Sequence, residues 1–543
     1  MVFARRSTTL LAAIIASCAM VLSLTACTSD NKTVVDGQTT VTSNSAGGVA
    51  VFTPSDGITL NQQTPLNKWA KLVPDLAKAL ADAGFKKGDI DHTTSDSLAK
   101  QSRAIQDFVV DHLSNNTTDD SGIAIAPDNM TLLVAPVVEA DASTRQYGDY
   151  VSQNLSTNDA TDGEATSDGE SSEDDSSKDD SSNTESDSTA SDEQAQAVDR
   201  LVSSLKLAKE SGMHVVLLGN SIEGYKPDAF VKFSDAQTIG KLQAEKMVSK
   251  LKLDKASKDN PKYIEVLLPY TAVDEKGNAN DSTFAQEAFR GIWQVLGSYY
   301  QKGVVESPSG TLDGKSTEND WQAVAYDAAK EGSTAKVLDK RLAKTDGQST
   351  LTRIDGIITM NDYIASEVVK ELDDLGYTGS AADINPQITI SGIVGNITGK
   401  KDLSRDAVPD PIKSPENDNA NDSSSSDDDA DEDTSASDKD RDSQWPLVTG
   451  YGAYVSNIPS IVNGKQWMTG MEDRQTIATD IAQACAKLNK DEALNSMPSI
   501  RNSEVGGVKK IPTISEPLLA VSASNLKSAL IDPGYISLAE AGL

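Results

Sequence analysis

Glu210-Ser211-Gly212-Met213-His214-Val215-Val216-Leu217-Leu218 reads as a helix end, a glycine turn and then a strand that is apolar on both faces. A strand wetted on one side alternates polar and apolar residues, whereas one covered on both sides runs apolar without a break. Similar short runs stand at Gly57-Ile58-Thr59-Leu60, Ile123-Ala124-Ile125-Ala126, Ile264-Glu265-Val266-Leu267-Leu268 and Ile357-Ile358-Thr359-Met360. Helical spacing fills the intervals: Leu72, Leu76 and Leu80; Ile239, Leu242, Met247 and Leu251; Ala365, Val368, Val369 and Leu372. Strands interleaved with helices predict right-handed βαβ units and parallel sheets covered on both faces. The fold class is α/β, and in such folds ligands sit at the carboxyl ends of the strands.

The N-terminus has a different chemistry. Arg5 and Arg6 precede a short, mostly apolar stretch over 7–24, and Leu24-Thr25-Ala26-Cys27 follows. Signal peptidases require small residues before the cut. The pattern resembles the bacterial lipobox, in which 1–26 is a lipoprotein signal peptide and Cys27 becomes the diacylated first residue. An ordinary signal peptide or a spanning helix would be the alternatives, but the apolar stretch is short for a span and polar residues follow it. Residues 27–50 then read as a Ser/Thr/Gly/Asn tether. After cleavage only Cys27 and Cys485 remain, so no internal disulfide is expected.

The net charge of -33 is concentrated in two tracts. Residues 159–193 hold fourteen acids and one lysine, a net of -13, and 416–442 hold twelve acids beside Lys439 and Arg441, a net of -10. Both consist of Ser, Asp and Glu with almost nothing to bury, so 155–195 and 414–443 are expected to be disordered surface inserts. No EF-hand-like spacing with glycine is present, and no metal site or cofactor is expected. The acidity argues against nucleic acid and against anionic lipid as partners.

The order of segments resembles the type 1 periplasmic binding proteins of sugar ABC transporters, the xylose-binding members most closely. Leu66-Asn67-Lys68-Trp69 is similar to that family's first ligand loop, and Lys100-Gln101-Ser102-Arg103-Ala104-Ile105 to its glutamine-bearing second helix. Phe233-Ser234-Asp235 with Gly240-Lys241-Leu242-Gln243-Ala244 resembles its first crossing between lobes. Asn361-Asp362-Tyr363-Ile364-Ala365 matches its Asn-Asp-x-x-Ala signature. The segment 458–469 resembles the approach to the second crossing, and Pro517-Leu518-Leu519 with Asn525 the closing strand. The resemblance implies a two-lobed fold, each lobe a parallel sheet flanked by helices, with three hinge crossings and a ligand held between lobes. It implies an N-terminal lobe of 57–234 plus 473–516 and a C-terminal lobe of 235–472 plus 517–543.

It also implies a site. Trp69 and Trp321 fall at aromatic positions that face a sugar's C–H surface, with a plain core role as the lesser alternative for either. Asn361 matches the hydroxyl-binding asparagine, since an amide both donates and accepts. Asp362 reads as the cap of the helix that starts at Tyr363. Glu472 aligns with a polar contact beside the second crossing. The family's Asp-Arg pair after the strand ending at Leu218 is replaced by Gly219-Asn220. Its late aspartate is missing from both competing segments, Ile388-Thr389-Ile390-Ser391-Gly392 and Leu447-Val448-Thr449-Gly450-Tyr451-Gly452. Asn220 and Tyr451 therefore join the ligand candidates, and a simple pentose, deprived of these charged partners, is expected to bind weakly.

Two functions compete on this reading. One is a lipid-anchored extracytoplasmic receptor, monomeric, that delivers a sugar or other small polar molecule to an ABC permease. The other is a non-transporting sensor or surface interaction protein with a degenerate sugar pocket. His92, His112 and His214 lie on separate segments with no Ser/His/Asp or metal spacing, so no enzyme is expected. A related repressor fold is set aside because a signal peptide occupies the place of its DNA-binding helices.

Overall fold

The computed structural model describes residues 33–35, 38–40, 46–56, 65–115, 125–138, 144–151, 153–157, 184–273, 280–343, 351–381 and 444–541. The signal peptide, Cys27, the strand candidates at 57–60 and 388–392, and most of both acidic tracts lie outside the described residues. Thr33–Val35 and Gln38–Thr40 pair antiparallel within residues 1–44, a unit by itself. The rest of the described chain is built on two large sheets.

The chain enters the first sheet at β1 (Gly48–Pro54), followed by helix α1 (Trp69–Asp82), β2 (Ile90–Ser95), α2 (Leu98–Asn115) and β3 (Met130–Val134). Then come α3 (Thr184–Glu210), β4 (His214–Leu218) and β5 (Ala229–Lys232). It passes to the second sheet through α4 (Ala236–Leu251), β6 (Lys262–Val266), α5 (Thr283–Gln301), β7 (Val305–Glu306) and α6 (Ser333–Arg341). That sheet continues with β8 (Gly356–Ile358), α7 (Asp362–Leu375), β9 (Leu447–Tyr451) and β10 (Met468–Met471). Helix α8 (Arg474–Leu488) packs on α1, and β11 (Ile500–Val505) and β12 (Val508–Ser515) rejoin the first sheet. Finally β13 (Leu519–Ser522) runs antiparallel beside β10. The strand orders are β11-β12-β5-β4-β3-β1-β2 and β7-β6-β8-β9-β10-β13, so the chain changes sheets three times.

The apolar run at β4 explains itself in this arrangement. Val216 and Leu218 pack with Leu72, Leu76 and Ile481 of α1 and α8. Val215 and Leu217 pack with Ile105, Leu201 and Leu205 of α2 and α3. Val215, Val216, Leu217 and Leu218 are all fully buried, each contributing about 1.5–3 kcal/mol. In the second lobe α4 and α5 approach closely enough for Gly240 to lie against the Ala288 carbonyl and Gly291 against that of Gln237, where no Cβ would fit.

Three expectations need correction. The tether is shorter than 27–50, because Gly48, Val49 and Ala50 already belong to the buried strand β1. The third strand is Met130–Val134, not 123–126: Ile125 and Ala126 precede a 3-10 turn that Pro127 starts. Finally, the first acidic tract is not an insert from 155 to 195. Leu155 is buried and paired with Ile222, and α3 already starts at Thr184.

Candidate functional site

The candidate ligand residues stand at the carboxyl ends of β4, β8, β9 and β10 and at the start of α1. Within the second sheet β8, β9 and β10 run parallel, so their carboxyl ends share one edge. Trp69 opens α1 and is 3% exposed, its ring meeting Tyr150 at 5.1 Å and Phe233 at 5.8 Å, both edge-on. Asn220 follows β4, where its Oδ1 accepts from the Gln153 N–H (3.0 Å) and its Nδ2 donates to the Pro136 carbonyl (2.9 Å).

Asn361 rather than Asp362 caps α7, accepting from the Ile364 N–H at 2.9 Å, while its Nδ2 donates to Gln146 Oε1 at 3.1 Å. The expectation that Asp362 caps this helix is thereby corrected. A carboxylate one residue inside the helix points back under β9 and β10. There the Tyr454 N–H, Gln466 Nε2 and Thr469 Oγ1 all donate to it within 2.9 Å. Burial pushes the Asp362 carboxyl up to about 6 despite these donors. Met360 and Ala453, beside this network, hold left-handed backbone with φ of 67° and 50°, a conformation that costs non-glycine residues of order 1–3 kcal/mol.

Tyr451 ends β9 fully buried, its hydroxyl 2.5 Å from Ser234 Oγ and donating to Glu472 Oε1 at 3.3 Å. Glu472 follows β10 and accepts from the Ser234 N–H at 2.6 Å, so it joins the first and second passages between sheets. Burial raises its carboxyl to about 7, with the Ser234 bonds opposing the shift. Trp321 belongs to the same hydrophobic cluster as Tyr147 and Tyr451. It starts a four-residue helical turn and meets Tyr270 edge-on at 5.1 Å in the second lobe's core.

The signal missed in the sequence is Gln146-Tyr147-Gly148-Asp149-Tyr150, in the connection from β3 to α3. Tyr147 and Tyr150 are each 1% exposed. Tyr150 stacks on Phe233 at 4.8 Å, while Tyr147 lies 4.7 Å from Phe284 and 6.3 Å from Tyr451. Asp149 accepts from Lys68 Nζ at 2.8 Å and from the Trp69 N–H at 3.1 Å, where the start of α1 favours an anion. Two buried glutamines brace the surrounding loops, Gln101 through Ala135 and Val137 and Gln243 through Met360 and Thr449. Among the described residues no group of three or more His, Cys, Asp or Glu could hold a metal, and no helix is long and apolar enough to cross a membrane.

Among the described residues the chain forms a two-lobed α/β architecture, two sheets of mainly parallel strands flanked by helices, with three passages of chain between them. No protein-family model and no curated protein sequence matches the chain. Among solved structures it is similar to an ABC transporter solute-binding protein from Clostridium phytofermentans with bound β-D-glucose. The identity is 17% and the TM-score 0.44, over 91% of this chain and 99% of that one. A carbohydrate transporter solute-binding protein from Chloroflexus aurantiacus in complex with D-glucose is also 17% identical, with a TM-score of 0.43 over 92% and 98%. A periplasmic ribose ABC transporter protein from Conexibacter woesei is 13% identical, with a TM-score of 0.42 over 90% and 96%.

Proposed function

We propose that this chain is a solute-binding receptor of an ABC importer. It is anchored to the outer face of the cell membrane by lipid on Cys27 and holds a sugar or another small polar molecule between its lobes. The observation that carries this reading is the convergence of Trp69, Asn220, Asn361 and Tyr451 on one short segment at the carboxyl ends of both sheets. That is where an α/β protein accepts a ligand. Aromatic faces with amide groups suit a ring bearing hydroxyls, and binding there is non-enzymatic capture and release.

A second reading rests on a separate observation. The amides of Asn220 and Asn361 and the carboxylate of Glu472 all bond to the protein itself. With Gly219 and Gly452 in place of charged partners, this favours a sensor or surface interaction protein whose sugar pocket has degenerated. A thermal-shift and tryptophan-fluorescence screen against a sugar panel separates the two. A ligand at a hundredfold excess over Kd adds about 2.7 kcal/mol of stability, which a melting curve resolves. A response to a ligand other than a simple pentose supports the receptor. Tight xylose or ribose binding refutes the specificity argument, and silence across the panel leaves the second reading standing.

A further inference from the structure

The segment that the ligand candidates converge on belongs to the chain itself. Residues 144–151 and 153–155 lie between β3 and α3 in sequence and touch both lobes. They hold both lobes at once. On the first-lobe side Asp149 bonds to Lys68 and the Trp69 N–H, its own N–H donates to the Asn67 carbonyl at 2.8 Å, and Asn154 and Leu155 pair with Ser221 and Ile222. On the second-lobe side Gln146 takes the Asn361 amide, its carbonyl accepts from the Tyr454 hydroxyl at 2.8 Å, and the Tyr147 ring packs against Phe284.

We propose that residues 144–151 and 153–155 are a tethered occupant of the interlobe cleft, which a solute must displace before it can bind. This rests on reading the cleft as a solute site. The segment supplies what a ring-shaped polar ligand would supply: two flat apolar faces, Tyr147 and Tyr150, an anion at the start of α1, and an acceptor for the Asn361 amide. Because it is covalently attached, it competes as an intramolecular ligand at high effective concentration, and the apparent affinity for solute falls by the fraction of molecules in which the segment is seated. While seated it also bridges the lobes, so the closed arrangement needs no solute. Gly148 makes the seating possible: its φ is +97°, and a Cβ there would lie 2.6 Å from the Asn67 carbonyl oxygen.

The test replaces residues 146–150 by Gly-Ser-Gly-Ser-Gly in the full chain and adds a synthetic peptide of residues 144–157 in trans. The peptide is expected to raise the melting temperature of the replaced chain and leave that of the intact protein unchanged, while a scrambled peptide does neither. The sugar panel is expected to bind the replaced chain at least tenfold more tightly than the intact one. Failure of the peptide to bind, or a sugar that binds both chains with equal measurable affinity, overturns the proposal. Peptide binding without any sugar response keeps the tethered occupant and removes the solute reading, so the two can fail separately. Should the replaced chain not fold, Gly148→Ala tests the same seating by hydrogen exchange. Amides of residues 146–151 are expected to exchange at least tenfold faster with the sheets unchanged, and unaltered protection there overturns the proposal.

Discussion

Glu472→Gln should make stability less sensitive to pH, in the direction opposite to ordinary acid denaturation. The carboxyl is 1% exposed and sits at about 7 in the folded protein against 4.5 for an exposed glutamate. Between pH 4.5 and 7 the folded chain keeps a proton that the unfolded chain has released, so this group's contribution falls as pH rises. It is complete below 4.5 and fully lost above about 7. A gap of roughly two and a half units at 1.36 kcal/mol each gives a loss of about 3 kcal/mol. Glutamine keeps an oxygen for the Ser234 N–H and cannot ionise. Urea unfolding at pH 4.5, 6 and 8, followed by tryptophan fluorescence, should find the two proteins close in stability at 4.5 and the variant ahead by about 3 kcal/mol at 8. A difference that stays constant across the range would refute the reasoning, because Glu472 would then be wetted and not clamped between the two passages.

Cys27→Ala should release the protein into the soluble fraction and abolish acyl labelling; persistent labelling would contradict the lipobox. Deleting 158–183 together with 414–443 should leave the melting temperature within a few degrees, whereas deleting 155–195 should lower it by removing buried Leu155 and the first turns of α3. Asp362→Ala strands three buried donors and should cost about 2–4 kcal/mol in urea unfolding. Trp69→Ala should cost about 3–5 kcal/mol of stability whatever its role toward ligand, since Tyr150 and Phe233 both pack on it.

The sandwich was legible because burial on both faces leaves uninterrupted apolar runs, and Val215 to Leu218 carries four such residues in a row. Helices α1, α4 and α7 were legible because leucines and valines recur at three and four. Strand β1 was missed at its place because Gly47 and Gly48 extend the polar composition of the preceding segment, leaving a short apolar run starting at Val49. The β3 strand was displaced by one turn because 123–126 and 130–134 are both apolar, and only Pro127-Asp128-Asn129 separates them. The site was half legible. The family resemblance singled out Asn361 and Trp69, but Asn-Asp reads equally as either residue capping, and only the packing of β9 and β10 draws Asp362 inward. Tyr147-Gly148-Asp149-Tyr150 has neither the apolar run of a buried strand nor the spacing of a helix, so nothing singled it out. Aromatic residues on both sides of a glycine were the available sign that this stretch is buried.

The arrangement of the last strands bears on how the protein reaches its native state. Strand β12 lies between β11 and β5, with Thr513 opposite Phe230, and β13 closes the edge of β10 with Val521 opposite Thr469. Both sheets therefore wait for residues 508–522 before β5 and β10 are covered. A ribosome or export channel that has released the first four hundred residues has released two open edges and no finished lobe. Pairing across such sequence distances makes folding slow, and an uncovered parallel edge can recruit another chain. Neither sheet is complete until residues 500–522 are in place, and removing them should damage both lobes together.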